Sequence, residues 1–111
     1  MAYKYVDKYY NFHEKSKVWR NINSDEDVQK CINRGSNALR IYEDISVKDR
    51  IREDTEGVER QLADIEIALE RIEKLPNLFT FTQEDVKCMK GKFVEFEKQL
   101  ELLDLQRVSW D

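Results

Sequence analysis

The chain contains one histidine, His13, two cysteines, Cys31 and Cys88, and a run of glutamates at Glu66, Glu70 and Glu73. An enzyme needs groups whose surroundings shift their reactivity, and general acid–base chemistry draws first on histidine. His13 lies inside an aromatic segment and reads as a surface or packing residue. The three glutamates have helical spacing, but a di-metal site in a bundle would want Glu-x-x-His pairs. Residues 50–105 hold no histidine. These carboxylates are therefore expected on a solvated face, supported by Glu56–Arg60 and Glu70–Lys74 at i,i+4. There is no glycine-rich phosphate loop, GxSxG elbow or HExxH motif. Cys31 and Cys88 fit no CxxC or metal-ligand pattern and read as reduced, small apolar residues of a cytosolic protein, with a disulfide as the alternative. The reading is of no enzyme, with no catalytic residue, no cofactor and no metal, which leaves a binding role.

Positioning any binding surface falls to helices. At 111 residues the chain suits one domain with a single modest core. With 38% charged residues, three glycines and one proline, turns are scarce and helix formers abundant, which favours an all-α bundle. Net charge is -4 but uneven: residues 1–24 carry five basic and two acidic groups, leaving fourteen basic and twenty-one acidic for the remainder. An acidic body repels phosphate backbones and argues against nucleic acid as the main partner. No signal peptide is evident, and no apolar run approaches the ~18 residues of a membrane span, so a soluble protein is expected.

The stretch Arg50 to Leu75 reads as the central helix. Ile51, Thr55, Val58, Leu62, Ile65, Leu69 and Ile72 repeat at alternating spacings of four and three, which keeps one side facing a partner throughout. Pro76 ends it. Ser24, followed by Asp25, Glu26 and Asp27, reads as the cap of an earlier helix to about Val47 that buries Val28, Ile32, Gly35, Leu39 and Tyr42, flanked by Cys31, Ala38 and Ile45. Gly35 on that stripe implies close approach of a neighbouring helix. After a short apolar connection, Asn77 to Phe81, Thr82 and Asp85 form a capping-box pattern with a Phe81–Val86 staple. The last helix then presents Val86, Met89, Phe93, Phe96, Leu100 and Leu103. The expected fold is an antiparallel up-down-up three-helix bundle over residues 24–111, with residues 1–23 as a basic aromatic arm or short extra helix. Taken as one helix, the arm sets Tyr5, Tyr9, Phe12, Ser16 and Trp19 on one side.

A second apolar strip points to function. Val94, Leu102 and Leu105 lie roughly 150° from the core stripe of the last helix by the 100° helical step. Ile67 on the central helix and Ile41 on the first stand opposite their own seams. Grouped across helices, Val94, Leu102, Leu105 and Ile67 would make a groove for an amphipathic partner helix. Alternatively, the arm itself fills the groove.

The segments DEDVQKCINRGSNALRIYEDI and VERQLADIEIALERIEKLPNLFTFTQEDVKCMKGKF resemble the N-terminal, Habc-like three-helix domain of Golgi and endosomal Qc-SNAREs of the syntaxin-six type, over residues 25 to about 104. The resemblance implies a regulatory docking domain in vesicle trafficking and membrane fusion. Its partners would be a tethering-complex subunit or a SNARE helix, at the cytosolic face of Golgi or endosomal membranes. Membrane association would come only from regions beyond Asp111, where the family carries a linker, a heptad region and an anchor. Within the arm, KYYNF is similar to the Tyr-Tyr-Asn-hydrophobic peptide by which a tethering subunit binds such domains, which adds Tyr9, Tyr10 and Phe12 to the expected partner-binding residues. The other readings are a free-standing acidic adaptor or inhibitor, for instance of phage origin, a nucleotide-binding or catalytic bundle around His13, and a membrane-surface peptide formed by residues 1–23.

Overall fold

The computed structural model of the chain describes residues 3–44 and 55–110, the last five as helical backbone. The burial expected for Ile45 and Ile51, and the turn expected near Lys48 and Asp49, lie outside the described residues. The fold is all-α, with no strand among the described residues. Its helices are α1 (Val6–Tyr9), α2 (Phe12–Asn21), α3 (Asp25–Asp44), α4 (Glu56–Lys74) and α5 (Gln83–Trp110), with a 3-10 turn at Pro76–Leu78 before α5. Among the described residues, no helix is long and apolar enough to cross a membrane.

Helix α4 is the hub, and α1, α2, α3 and α5 all pack on it. Its seam residues Val58, Leu62, Ile65, Leu69 and Ile72 are buried against α3 residues Val28, Ile32, Leu39 and Tyr42 and α5 residues Met89, Phe93, Leu100 and Leu103. The 3-4 spacing thus does what an amphipathic stripe must, closing one continuous core. Capping follows the local sequence. Ser24 Oγ accepts the Asp27 amide at 3.3 Å, and Thr82 and Asp85 exchange side-chain and backbone bonds at 3.0 and 3.1 Å. The expected Glu56–Arg60 pair forms at 2.8 Å.

The arm departs from one continuous helix. Tyr10 is extended, and Asn11 restarts the chain with a capping box: its side chain accepts the Glu14 amide at 2.8 Å while the Glu14 carboxylate accepts the Asn11 amide at 3.3 Å. This break resets the helical register. Tyr5, Val6 and Ile22 consequently enter the same hydrophobic cluster as the other helices, while Phe12, expected beside Tyr5, is 84% exposed. An Asn three residues before a Glu outweighs the aromatic period on either side of it.

At Gly35 the α3 backbone comes so close to its neighbours that a Cβ would stand 2.7 Å from Ile65 Cδ1 and 3.6 Å from the Phe96 ring. By contrast, a Cβ at Gly91, inside α5, meets nothing within 4 Å. Gly35→Val should therefore lower stability in urea unfolding by about 1–3 kcal/mol through overpacking. In the same assay Gly91→Ala should raise it by about 0.5–1 kcal/mol by restricting the unfolded chain and favouring the helix.

Candidate interaction surface

On the side of α4 turned away from its seam, polar side chains hold the arm at both ends. The Glu66 side chain, 1% exposed, accepts the backbone amides of Tyr5 at 2.9 Å and Val6 at 3.0 Å, both on Oε1, where α1 begins. One turn further on, buried Arg71 donates through Nε to the Ile22 carbonyl and through Nη2 to Asn23 Oδ1 at 2.7 Å, at the end of α2. Its guanidinium also stands 5.1 Å from the Trp19 ring. Between these anchors, Tyr10 donates to Asp64 Oδ1 at 2.7 Å and Lys8 pairs with Glu59 at 3.0 Å. Tyr5 reaches across to α5, donating to Glu97 Oε2 at 3.1 Å and meeting Phe93 edge-on. Basic arm and acidic body therefore complement one another within the molecule.

Electrostatics at this face follow burial. Burial pushes the Glu66 carboxyl up to about 6, the amide bonds from Val6, Tyr5 and Lys4 pulling the other way without cancelling it, and Glu97 adding a small push. Asp64 is raised for the same reason despite its Tyr10 bond. The Tyr10 hydroxyl is driven upward by burial and by Asp64, so it stays a donor. Burial likewise raises the Cys31 thiol, and Cys31 and Cys88 are both free, Cys88 exposed.

The predicted site residues do not form one groove. Ile67 is 0% exposed, because α1 and α2 cover the side of α4 on which it lies. The expected groove at that position is thus occupied in cis by the arm. Tyr9 and Tyr10 are half-buried in it, Tyr9 beside Lys8 and Arg60. Phe12 projects away. Val94, Leu102 and Leu105 do lie together on α5 with exposures of 45%, 61% and 56%, and Ile41 is exposed on α3. A cleft of about 420 Å³ between α1 and the end of α5, walled in part by Tyr5, Leu100 and Leu105, borders this strip.

Sequence reasoning missed Glu66 and Arg71. Glu66 was expected in water, since glutamates at helical spacing on a charged helix usually face solvent. The excess of positive charge in the first 24 residues points to Glu59 and Glu97, which meet Lys8 and Lys4, but not to Glu66, whose partners are backbone amides. For the chemistry, His13 is exposed, and no group of three or more metal-ligating side chains comes together among the described residues. No protein-family model, curated protein or solved structure matches the chain.

Removing the carboxylate tests the anchoring. Glu66→Ala leaves two buried amides without an acceptor and should cost about 2–5 kcal/mol in chemical unfolding. Glu66→Gln keeps an acceptor oxygen and should cost less. The pH dependence separates the two forms. Because the folded carboxyl titrates near 6 rather than its ordinary 4.5, the folded state holds an extra proton between those values. Its contribution to stability therefore rises as pH falls from 7 towards 4.5, the reverse of an ion-paired carboxylate. The stability advantage of the native protein over Glu66→Gln should grow between pH 7 and pH 5, read by urea midpoints at each pH.

Proposed function

We propose that the chain is a non-enzymatic docking domain that takes an amphipathic helix of a protein partner on the outward face of α5. Its core would be α3, α4 and α5 in antiparallel up-down-up order, with α1 and α2 as a built-in strap. Contacts between helix ends support that order. Asp25, at the start of α3, accepts the Thr80 amide at 2.9 Å just ahead of α5, and Tyr42 donates to Asp104 at 3.3 Å near the far end of both helices. Lys90, early in α5, lies 3.4 Å from Glu73, late in α4.

The observation that carries the proposal is the exposure of Val94, Leu102 and Leu105 on one side of one helix, after the arm has closed the other apolar side of the bundle. Large apolar side chains gathered in this way supply affinity to a helix laid across them. Among the described side chains of α5, Glu95, Lys98 and Glu101 are exposed beside them. An acidic margin of this kind selects partners with basic flanks and accelerates their encounter. The resemblance of residues 25–104 to the syntaxin-six type of SNARE domain makes the preferred partner a tethering-complex subunit or SNARE helix at Golgi or endosomal membranes.

The test replaces Leu102 and Leu105 together by Glu. As both are exposed, helical circular dichroism and stability should change by no more than about 0.5 kcal/mol. Binding to synthetic SNARE-motif helices and tethering-subunit peptides, measured by fluorescence anisotropy, should weaken by at least about tenfold, the loss of ~1.4 kcal/mol. A fall in melting temperature with binding unchanged would make these residues structural and refute the docking role.

A further inference from the structure

At the opposite end of α5 from Leu105, a pocket of about 470 Å³ opens between the end of α4 and the first turns of α5. Its apolar walls are Ile72, Pro76, Phe81 and Val86. Phe81 is held there by stacking on Phe79, which is buried in the core, with ring centroids 6.1 Å apart. Around the mouth stand Lys87 and Lys90, with Glu73 facing Lys90 at 3.4 Å. That pair is exposed on both sides, and with Lys87 the three rim charges sum to about +1. Asp85 is turned to cap the Thr82 amide, and Glu84 does not line the pocket. The rim is thus net positive, in a body that is otherwise acidic.

We propose that this pocket is a second docking site, independent of the outward face of α5, and that it takes a short peptide segment of a partner protein in which a large apolar side chain is flanked by carboxylates. The apolar side chain fills the space between Ile72, Phe81 and Val86, and the carboxylates meet Lys87 and Lys90. Volume and lining fit a binding pocket for one such side chain with part of its backbone. Two features favour a chain segment over a small enclosed molecule. The pocket is partly open to solvent, and Leu75 and Leu78, in the connecting turn around Pro76, leave further apolar surface exposed. Charge fixes the sign of the ligand: a basic segment would meet two lysines and one already paired glutamate.

Titration of ¹⁵N-labelled protein with the blocked peptides Ac-Glu-Phe-Asp-NH₂ and Ac-Lys-Phe-Lys-NH₂ tests this, with phenylacetate as the small-molecule arm. The acidic peptide should shift amides of residues 72–90 and bind at least about tenfold tighter than the basic one. The double variant Lys87→Glu/Lys90→Glu replaces exposed residues, and should keep its helical circular dichroism and lose that preference. Equal binding of the two peptides, shifts confined to other parts of the protein, or undiminished acidic-peptide binding by the variant would overturn the proposal. So would phenylacetate binding as tightly as the acidic peptide, which would assign the pocket to a small carboxylate. Leu102 and Leu105 are absent from this pocket, so its outcome is separate from that of the α5 face.

Discussion

The buried carboxylate of Glu66 is the constraint around which the arm is arranged. Removing an ionised carboxylate from water costs several kcal/mol even after relaxation, and among the described residues no ion pair includes Glu66. Two amide donors on one oxygen return about 1.5–3 kcal/mol each, since hydrogen bonds to charged acceptors exceed neutral ones. These opposing quantities are of similar size, and the upward displacement of the group to about 6 records that burial keeps a small lead. Glu66 therefore contributes little net stability. What it supplies is placement: a single position along α4 where the free amides at the start of α1 find an acceptor.

Stability comes from the apolar groups that this placement buries. Tyr5, Val6 and Ile22 are all 5% exposed or less, and full burial of an apolar side chain of this size contributes about 1.5–3 kcal/mol. Arg71 does for the far end of the arm what Glu66 does for the near end, donating to the Ile22 carbonyl where Glu66 accepts the first amides. With both ends fixed, the arm has one register on α4. Ala63, on the same side and fully buried, leaves room for that close approach. Ile67 thus serves as floor for the arm.

What could be read in the sequence divides along the same line. The 3-4 seams of α3, α4 and α5, the Ser24 and Thr82 caps, the Glu56–Arg60 pair and the tight contact at Gly35 all follow from periodicity or neighbours within four residues, and each is present. The break at Asn11 was local too, but its capping box competed with an aromatic repeat that pointed to one helix. Glu66 and Arg71 were illegible for a different reason. Their partners are backbone groups some fifty to sixty residues away, and nothing in side-chain type marks a glutamate that will bond to a distant amide. The exposure of Val94, Leu102 and Leu105 was legible because they oppose a strong seam on their own helix. Ile67 satisfied the same rule, and only the arm distinguishes the two cases.

That distinction also explains why the arm settles on α4 and leaves the outer face of α5 open. A covering helix must satisfy its own terminal groups as well as bury its apolar side. The back of α4 combines an apolar floor with Glu59, Asp64, Glu66 and Arg71, which receive two amides, a carbonyl, a lysine and a tyrosine hydroxyl of the arm. The outer face of α5 sets Val94, Leu102 and Leu105 among exposed Glu95, Lys98 and Glu101, none of which receives a group from the arm among the described bonds. A covering segment there must bring its terminal amides and carbonyls already satisfied, as an interior stretch of a longer helix does. The arm, whose first amides and last carbonyl bond to Glu66 and Arg71, finds those partners on α4.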